Sequence, residues 1–396
     1  MRPFLLSVAS LVAGAVLAGC AVGLRADTVS PPMILSGAPD TIRVRILYTK
    51  SPTHLDATGP FQYQLRKGGK IYPGNAAIRV RAMHGTMVFD HKSLKGDVSV
   101  VPVSPTDTIR INGRRYRGAL TFHPLGTGRY DVVETLVLEE YLYGVLPREV
   151  GGDWPLESLK AQAVVSRTYV VANRAADPSQ RFDVYSGVRD QVYGGLEDEV
   201  PAANQAVDQT QGEILQDQEG KPVQTFFHSS CGGYTETPDN VWPSAESSNV
   251  FESIKDDYCG QDPFAHWKIE LKKSTIIARL RKIGYRMRDI QKITAGKKST
   301  SGRAVTLWVY SSKGKTEIQG NRFRLALGPE VLRSTLLTDI TATKRTIRFE
   351  GRGWGHGVGL CQWGARGRAL AGQKHEEILK AYYPGAKLMH AQVASR

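Results

Sequence analysis

Only 4 cysteines are spread over 396 residues, and one of them stands at position 20, ahead of any patterned segment. So few thiols exclude a small disulfide scaffold, which would need a dense cross-linked framework in place of a core. After the first twenty residues no apolar run is long enough to cross a bilayer. The chain has no Gly-Lys-Ser/Thr ending of a phosphate loop and no Gly-x-Ser-x-Gly elbow of a serine hydrolase. Internal repeats and long low-complexity tracts are also missing. Acid is scarce beside base, with 38 Asp+Glu against 52 Lys+Arg and a formal net charge of +14. That excess favours anionic partners: nucleic acid, an anionic membrane surface or an acidic polymer. What remains is an ordinary globular composition, 41% hydrophobic and 23% charged, enough for one large domain or two modest ones.

The amino terminus narrows the choice of partner. "MRPFLLSVASLVAGAVLAGCAVG" has Arg2, an apolar run from Phe4 to Leu17 and then small residues. The run is too short for a spanning helix and reads as an export signal. Leu17-Ala18-Gly19-Cys20 resembles the lipobox of bacterial lipoproteins. That resemblance implies a signal peptide over 1–19, a lipid on Cys20 and a membrane anchor. Ala21 stands where an inner-membrane retention signal carries Asp, which points to the periplasmic face of the outer membrane. Export removes nucleic acid as a partner. Residues 20–39 mix Pro, Gly and Ser without period and read as a flexible tether.

From Thr41 the pattern alternates. "TIRVRILY" sets Ile42, Val44 and Ile46 on one face, and further short alternating runs predict a β-rich module over 40–135. Helical spacing begins at "VLEEYLYGVLP", where Leu138, Tyr141, Leu142 and Val145 share a face and Pro147 is expected to end the helix. A second helix is expected from Asp153, with Leu156, Leu159, Ala163, Val170 and Val171 inward. Arg167 falls on that inward face. It requires either a buried carboxylate or a stem that packs while its head reaches water. Twelve Lys or Arg lie between Lys268 and Arg303, opposed by Glu270 and Asp289. This run reads as a solvated helix face or as an attractant for an anionic polymer.

Three distant segments carry candidate chemistry. The first is "YLYGVLPREVGGDWPLESLKAQAVVSRTY", which sets Glu149 at a helix end beside a Gly-Gly loop and Trp154. The second, "FFHSSCGGYTETPDNVW", supplies His228, Ser229 and Cys231. In the third, "GRGWGHGVGLCQWGARGRALAGQ", glycine alternates from 351 to 359 around Trp354 and His356, with Gln362 following. Bare glycine edges let a ligand or a second backbone approach closely, and indole beside them suits the apolar face of a sugar. Cys231 and Cys259 are expected to pair as a disulfide in an oxidising compartment, leaving Cys361 as a buried thiol. Zinc held by His228, Cys231, Cys259 and His266 is the alternative, although the spacing matches no usual finger or ribbon.

Taken together, the motifs resemble the SpoIID/LytB family of cell-wall proteins. The first segment, "DQVYGG", "FFHSSCGGYTE", "SGRAVTLWVY" and the glycine run follow in the family's order over roughly residues 130–390. The resemblance implies an α+β catalytic domain over 136–390, helices carrying Glu149 beside sheet elements from residues 300 to 350, and no cofactor. It also implies a peptidoglycan lytic transglycosylase in which Glu149 serves as acid and then base. Trp154, Arg167, His228, Ser229, Trp354, His356 and Gln362 would bind glycan. Arg148 and Gly151-Gly152 depart from the family's usual turn without removing the acid. The competing expectation is a glycan-binding enhancer that acts on a separate cell-wall amidase.

Overall fold

The alternating segments close into two sheets. A computed structural model describes residues 41–390 except 175–178, 245–248 and 264, so the leader, Cys20 and the tether lie outside the described residues. Seven strands pair in the order Val184–Tyr185, Thr41–Thr49, Tyr130–Val137, Ala119–Pro124, Val98–Pro102, Phe61–Leu65, Tyr72–Gly74. Six more run Arg114–Tyr116, Ile109–Ile111, Thr53–Ala57, Ile78–Met83, Thr86–Phe89, Lys92–Lys95. Ile42 and Val44 are fully buried, as the alternation requires, whereas Ile46 is half-buried. The register against Tyr130–Val137 shifts between Arg45 and Leu47, leaving Ile46 as the extra residue of a β-bulge. A bulge breaks the two-residue period, so the third position leaves the face set by the first two.

Helix α1 (Leu138–Glu149) follows Tyr130–Val137 with no loop between them. Its Tyr141, Leu142, Val145 and Leu146 are buried in the same core as Ile42, Val44, Val132 and Leu136. The chain therefore has no break in its core near residue 135. Pro147 does not end the helix, contrary to expectation. It lies in the last turn, where its ring removes one hydrogen bond while the Val150 N–H still reaches the Leu146 carbonyl at 2.9 Å.

Helix α2 (Leu156–Asn173) starts two residues later than a cap at Asp153 would set it. Asp153 is exposed and supplies no cap; Pro155 occupies the cap position, and its carbonyl accepts from Ser158 and Leu159 at 2.9 and 3.1 Å. Leu159, Ala163 and Val170 are buried as expected, while Leu156 and Val171 are half-buried. Burial does not stop at one face. From Ser158 to Thr168 nearly every residue is enclosed, because α1, helix α3 (Pro201–Gln209) and the helices Gln362–Leu370 and His375–Tyr382 all pack on α2. Enclosure on every side marks the central helix of a core.

The sheets within residues 300–350 do not back Glu149. Trp267–Lys272, Thr346–Gly351 and Leu337–Ala342 form one three-stranded sheet, and Lys292–Ala295, Thr306–Ser311 and Gly314–Gln319 form another. Their apolar faces are covered by Lys273–Lys282 and Gly320–Leu327 around Ile276, Leu280, Leu307, Phe323 and Phe349, a core separate from that of α1. In the basic stretch, Lys272, Arg281, Lys282, Arg286 and Arg288 are exposed above buried Ile276 and Leu280. Arg303 is the exception. It is wholly buried and donates to the carbonyls of Cys231 and Tyr234 at 2.7 and 2.9 Å. Among the described residues no helix is long and apolar enough to cross a membrane.

Candidate functional site

Glu149 is the final residue of α1 and is half-buried. Its Oε1 accepts the Val192 N–H at 2.7 Å, from the "DQVYGG" loop. That loop is tied down by Gln191, which is wholly buried. The Gln191 amide oxygen accepts from Tyr141 Oη at 3.3 Å, and its nitrogen donates to the Ser166 carbonyl at 3.5 Å. Burial pushes the Glu149 carboxyl above its ordinary 4.5, against the lowering influence of the Val192 N–H and of Arg148. A carboxyl so placed retains its proton further toward neutrality, which a general acid needs.

Burial raises one more carboxyl, that of Glu134, to about 7. Glu134 lies in the core strand Tyr130–Val137, and its Oε1 accepts the N–H groups of Arg117 and Gly118 at 3.1 and 3.2 Å. It is fully enclosed, so no polymer reaches it. Its consequence is for stability. The folded carboxyl titrates near 7 and the ordinary one at 4.5, so the folded chain holds the extra proton between these values. Stability present below pH 4.5 is therefore lost as pH rises towards and through 7. The shift corresponds to about 3 kcal/mol. Glu134→Gln should flatten that slope, and thermal unfolding across this pH window will show whether wild type loses ground to the variant as pH rises.

The three sequence segments meet. Trp154, just after Glu149, packs on Trp363 with ring centroids 5.2 Å apart. The Arg366 guanidinium lies 5.3 Å from the Trp363 ring centre and 5.9 Å from that of Trp154. Trp363 N–H donates to the Ser229 carbonyl at 3.1 Å, joining the second segment. Gln362 is buried and donates to Gln162 of α2 at 3.3 Å, and Gln162 donates to Ser166 Oγ at 3.1 Å. Gln362 thus connects through α2 to the loop that holds Glu149. Sequence reasoning missed Trp363, Arg366, Gln162 and Val192. For Trp363 the available signal was a second indole beside Gln362.

The glycine run is filled from within the molecule. Gly353 has φ +72°, and a Cβ there would lie 2.7 Å from both Gly232 N and Ser230 O. Gly359, at φ +69°, abuts the Phe226 carbonyl. The second backbone is therefore residues 226–232, and the expected sugar-facing glycine edge is an internal crossing. Phe227–His228 runs parallel to Leu360–Cys361, and Ser230 and Trp354 exchange backbone hydrogen bonds at 2.9 Å. The Trp354 ring lies 5.4 Å from the Arg333 guanidinium.

The two histidines stand side by side with ring centroids 5.4 Å apart. His356 Nδ1 accepts from Val358 N–H at 3.0 Å, and burial, aided by Arg324 and Arg303, holds its pKa down at about 3. Burial, with His356 next, also holds His228 well below 6.5. Both are neutral near pH 7. His228 Nδ1 bonds the Val358 carbonyl at 3.1 Å, whereas its buried Nε2 has no partner among the described residues. Arg167, expected in the glycan site, is 1% exposed and belongs to the core. It forms a bidentate pair with Glu139 at 2.8 and 2.6 Å and donates to the Glu213 carbonyl at 3.1 Å.

The cysteines also depart from expectation. Cys231 and Cys259 are unbonded, with sulfurs 3.5 Å apart, and Cys361 is no bystander. Its Sγ accepts the Cys231 N–H at 3.2 Å and the Gly364 N–H at 3.3 Å. Hydrogen bonds from Cys231 and Cys361 favour Cys259 as the thiolate, below its ordinary 9.0. Neither histidine of the alternative zinc set belongs to the cluster: His228 faces Val358, and His266 is exposed. The fourth member is Asp256.

Comparison with known proteins follows the same segments. A family model described as stage II sporulation protein matches residues 126–216, and one described as a domain of unknown function matches 215–359. An uncharacterized protein of Brachyspira hyodysenteriae is 30% identical over 350 residues, covering 88% of this chain and 92% of that protein. Stage II sporulation protein D of Bacillus subtilis is 31% identical over 278 residues, 65% of this chain and 76% of its own length. The amidase enhancer of Bacillus subtilis is 30% identical over 336 residues, 72% of this chain but only 45% of the relative.

Proposed function

The chain belongs to the SpoIID/LytB family, and on that footing we propose that it is a lytic transglycosylase acting on peptidoglycan glycan strands after N-acetylmuramic acid. The observation that carries this reading is Glu149, a half-buried acid at a helix end with its pKa raised by burial. Hydrolysis of a glycoside ordinarily uses two carboxylates, one as acid and one as nucleophile or base. Intramolecular closure uses one. Protonated Glu149 gives its proton to the leaving glycosidic oxygen. The resulting carboxylate takes the proton of the sugar's own 6-hydroxyl, and that oxygen closes on the anomeric carbon. Water is not consumed, a 1,6-anhydro end forms and Glu149 is again protonated. Trp154 and Trp363 offer aromatic faces for the sugar.

A second reading is supported by the similarity to the Bacillus subtilis amidase enhancer: the same surface binds glycan and stimulates a separate amidase. In either reading a lipid on Cys20 anchors the protein at the periplasmic face of the outer membrane, beside the wall. One experiment separates the two. Purified, peptide-free glycan strands are incubated with the protein alone and the products weighed by mass spectrometry. Fragments one water lighter than hydrolysis products support the transglycosylase. Intact strands, together with faster turnover by an added amidase, establish the enhancer.

A further inference from the structure

We propose that Cys231, Cys259, Cys361 and Asp256 form a closed, structural zinc site. Their ligand atoms all lie within 4.8 Å of one another. A tetrahedral zinc with sulfur at its usual distance sets ligand sulfurs about 3.8 Å apart, and sulfur to oxygen about 3.5 Å. Cys231 Sγ is 3.5 Å from Cys259 Sγ and 3.5 Å from Asp256 Oδ2. A disulfide would bring two sulfurs to about 2.05 Å and leave the third without a role. The observed spacing is that of ligands around a shared centre.

The surroundings suit thiolates. Cys361 caps the helix Gln362–Leu370, and its sulfur takes two backbone N–H groups, from Cys231 and Gly364. Asp256 is oriented by Tyr382 Oη at 2.7 Å and the Tyr258 N–H at 3.3 Å, as ligating carboxylates usually are. Three thiolates and a carboxylate exceed the charge of one divalent ion. Two cations balance the excess: half-buried Arg368 lies 3.6 Å from Asp256, and buried Arg303 donates to the Cys231 carbonyl at 2.7 Å. Soft sulfur ligands in a four-membered tetrahedral set select zinc over calcium or magnesium. The four ligands are at most 5% exposed, so no position is left open for substrate or water. Such a site holds structure together and does no chemistry.

Its position gives it a purpose. It joins chain segments at 231, 256–259 and 361; Cys361 itself pairs with His228 across the two short strands and caps the helix that carries Gln362 and Trp363. The inference does not rest on the proposed activity. Protein purified under reducing conditions should contain one zinc per chain by elemental mass spectrometry, with all three thiols protected from alkylation until a chelator is added. Cobalt(II) added to the metal-free wild-type protein should give the visible spectrum of a tetrahedral thiolate site. Asp256→Asn and Cys361→Ser should each lower metal content well below one per chain and remove the effect of chelator on thermal unfolding. A Cys231–Cys259 disulfide by non-reducing peptide mapping, or folded, reduced wild-type protein that takes up neither zinc nor cobalt, would overturn the assignment.

Discussion

Glu149→Gln should lower the proposed formation of anhydro-muramic ends by ~10²–10⁴-fold while binding of glycan strands persists. The amide keeps the shape of the side chain and can still accept the Val192 N–H, so the fold at the end of α1 is retained. It has no proton to give at the acidity the leaving oxygen requires. The wild-type rate should depend on pH with a definite sign. In the proposed reaction protonated Glu149 is the working form, so activity should be lost as pH rises through a pKa held above 4.5 by burial. Product yield from defined glycan strands, measured across pH for both proteins, checks both statements. An unchanged yield from Glu149→Gln would remove this residue from the chemistry.

Arg167→Ala should lower the stability of the whole protein by ~3 kcal/mol, because it leaves half-buried Glu139 without its cation and removes the donor to the Val207 and Glu213 carbonyls. Arg167 joins α1 through Glu139, α3 through the Val207 carbonyl at 3.4 Å, and the strand Glu213–Gln216 through the Glu213 carbonyl. Arg167→Met combined with Glu139→Leu should recover much of the loss, since neither charge then remains to be paired. Denaturant unfolding of the single and double variants measures both effects. Glycan binding by the fraction that stays folded should match wild type. A selective loss of binding would instead return Arg167 to the substrate site.

Local features were legible in the sequence, and convergent ones were not. The alternation around Ile42 and Val44 and the helical spacing of Tyr141, Leu142 and Val145 each specify a face within a few residues. Arg167 announced a need for a partner because a charge on an apolar face is costly, although nothing local identified Glu139. Glu149 stood out as an acid at a helix end, but its Val192 donor lies 43 residues away. The glycine run correctly signalled close approach. Which partner approached, residues 226–232 or a ligand, depends on tertiary packing. Cys361 and Asp256 escaped for the same reason. Cysteines 130 residues apart become neighbours only after two strands pair in parallel, and pairing arithmetic over a few thiols assumes bonds between two. Ile46 was misread because a bulge has no sequence signature as simple as the alternation it interrupts.

The strand Tyr130–Val137, which leads directly into α1, is flanked by Thr41–Thr49 on one side and Ala119–Pro124 on the other. The region matched by the stage II sporulation model begins at residue 126, after both neighbours. A fragment cut there would carry Glu149, Trp154 and the loop that holds the acid. It would also expose two unpaired edges of one strand and strip Val132, Leu136 and Tyr141 of the core they share with Ile42 and Val44. The segment matched by the family model and the autonomous folding unit are thus different objects in this chain. Excision, domain transplantation or circular rearrangement that respects the first and ignores the second would yield an adhesive, strand-exchanging polypeptide rather than a smaller folded domain.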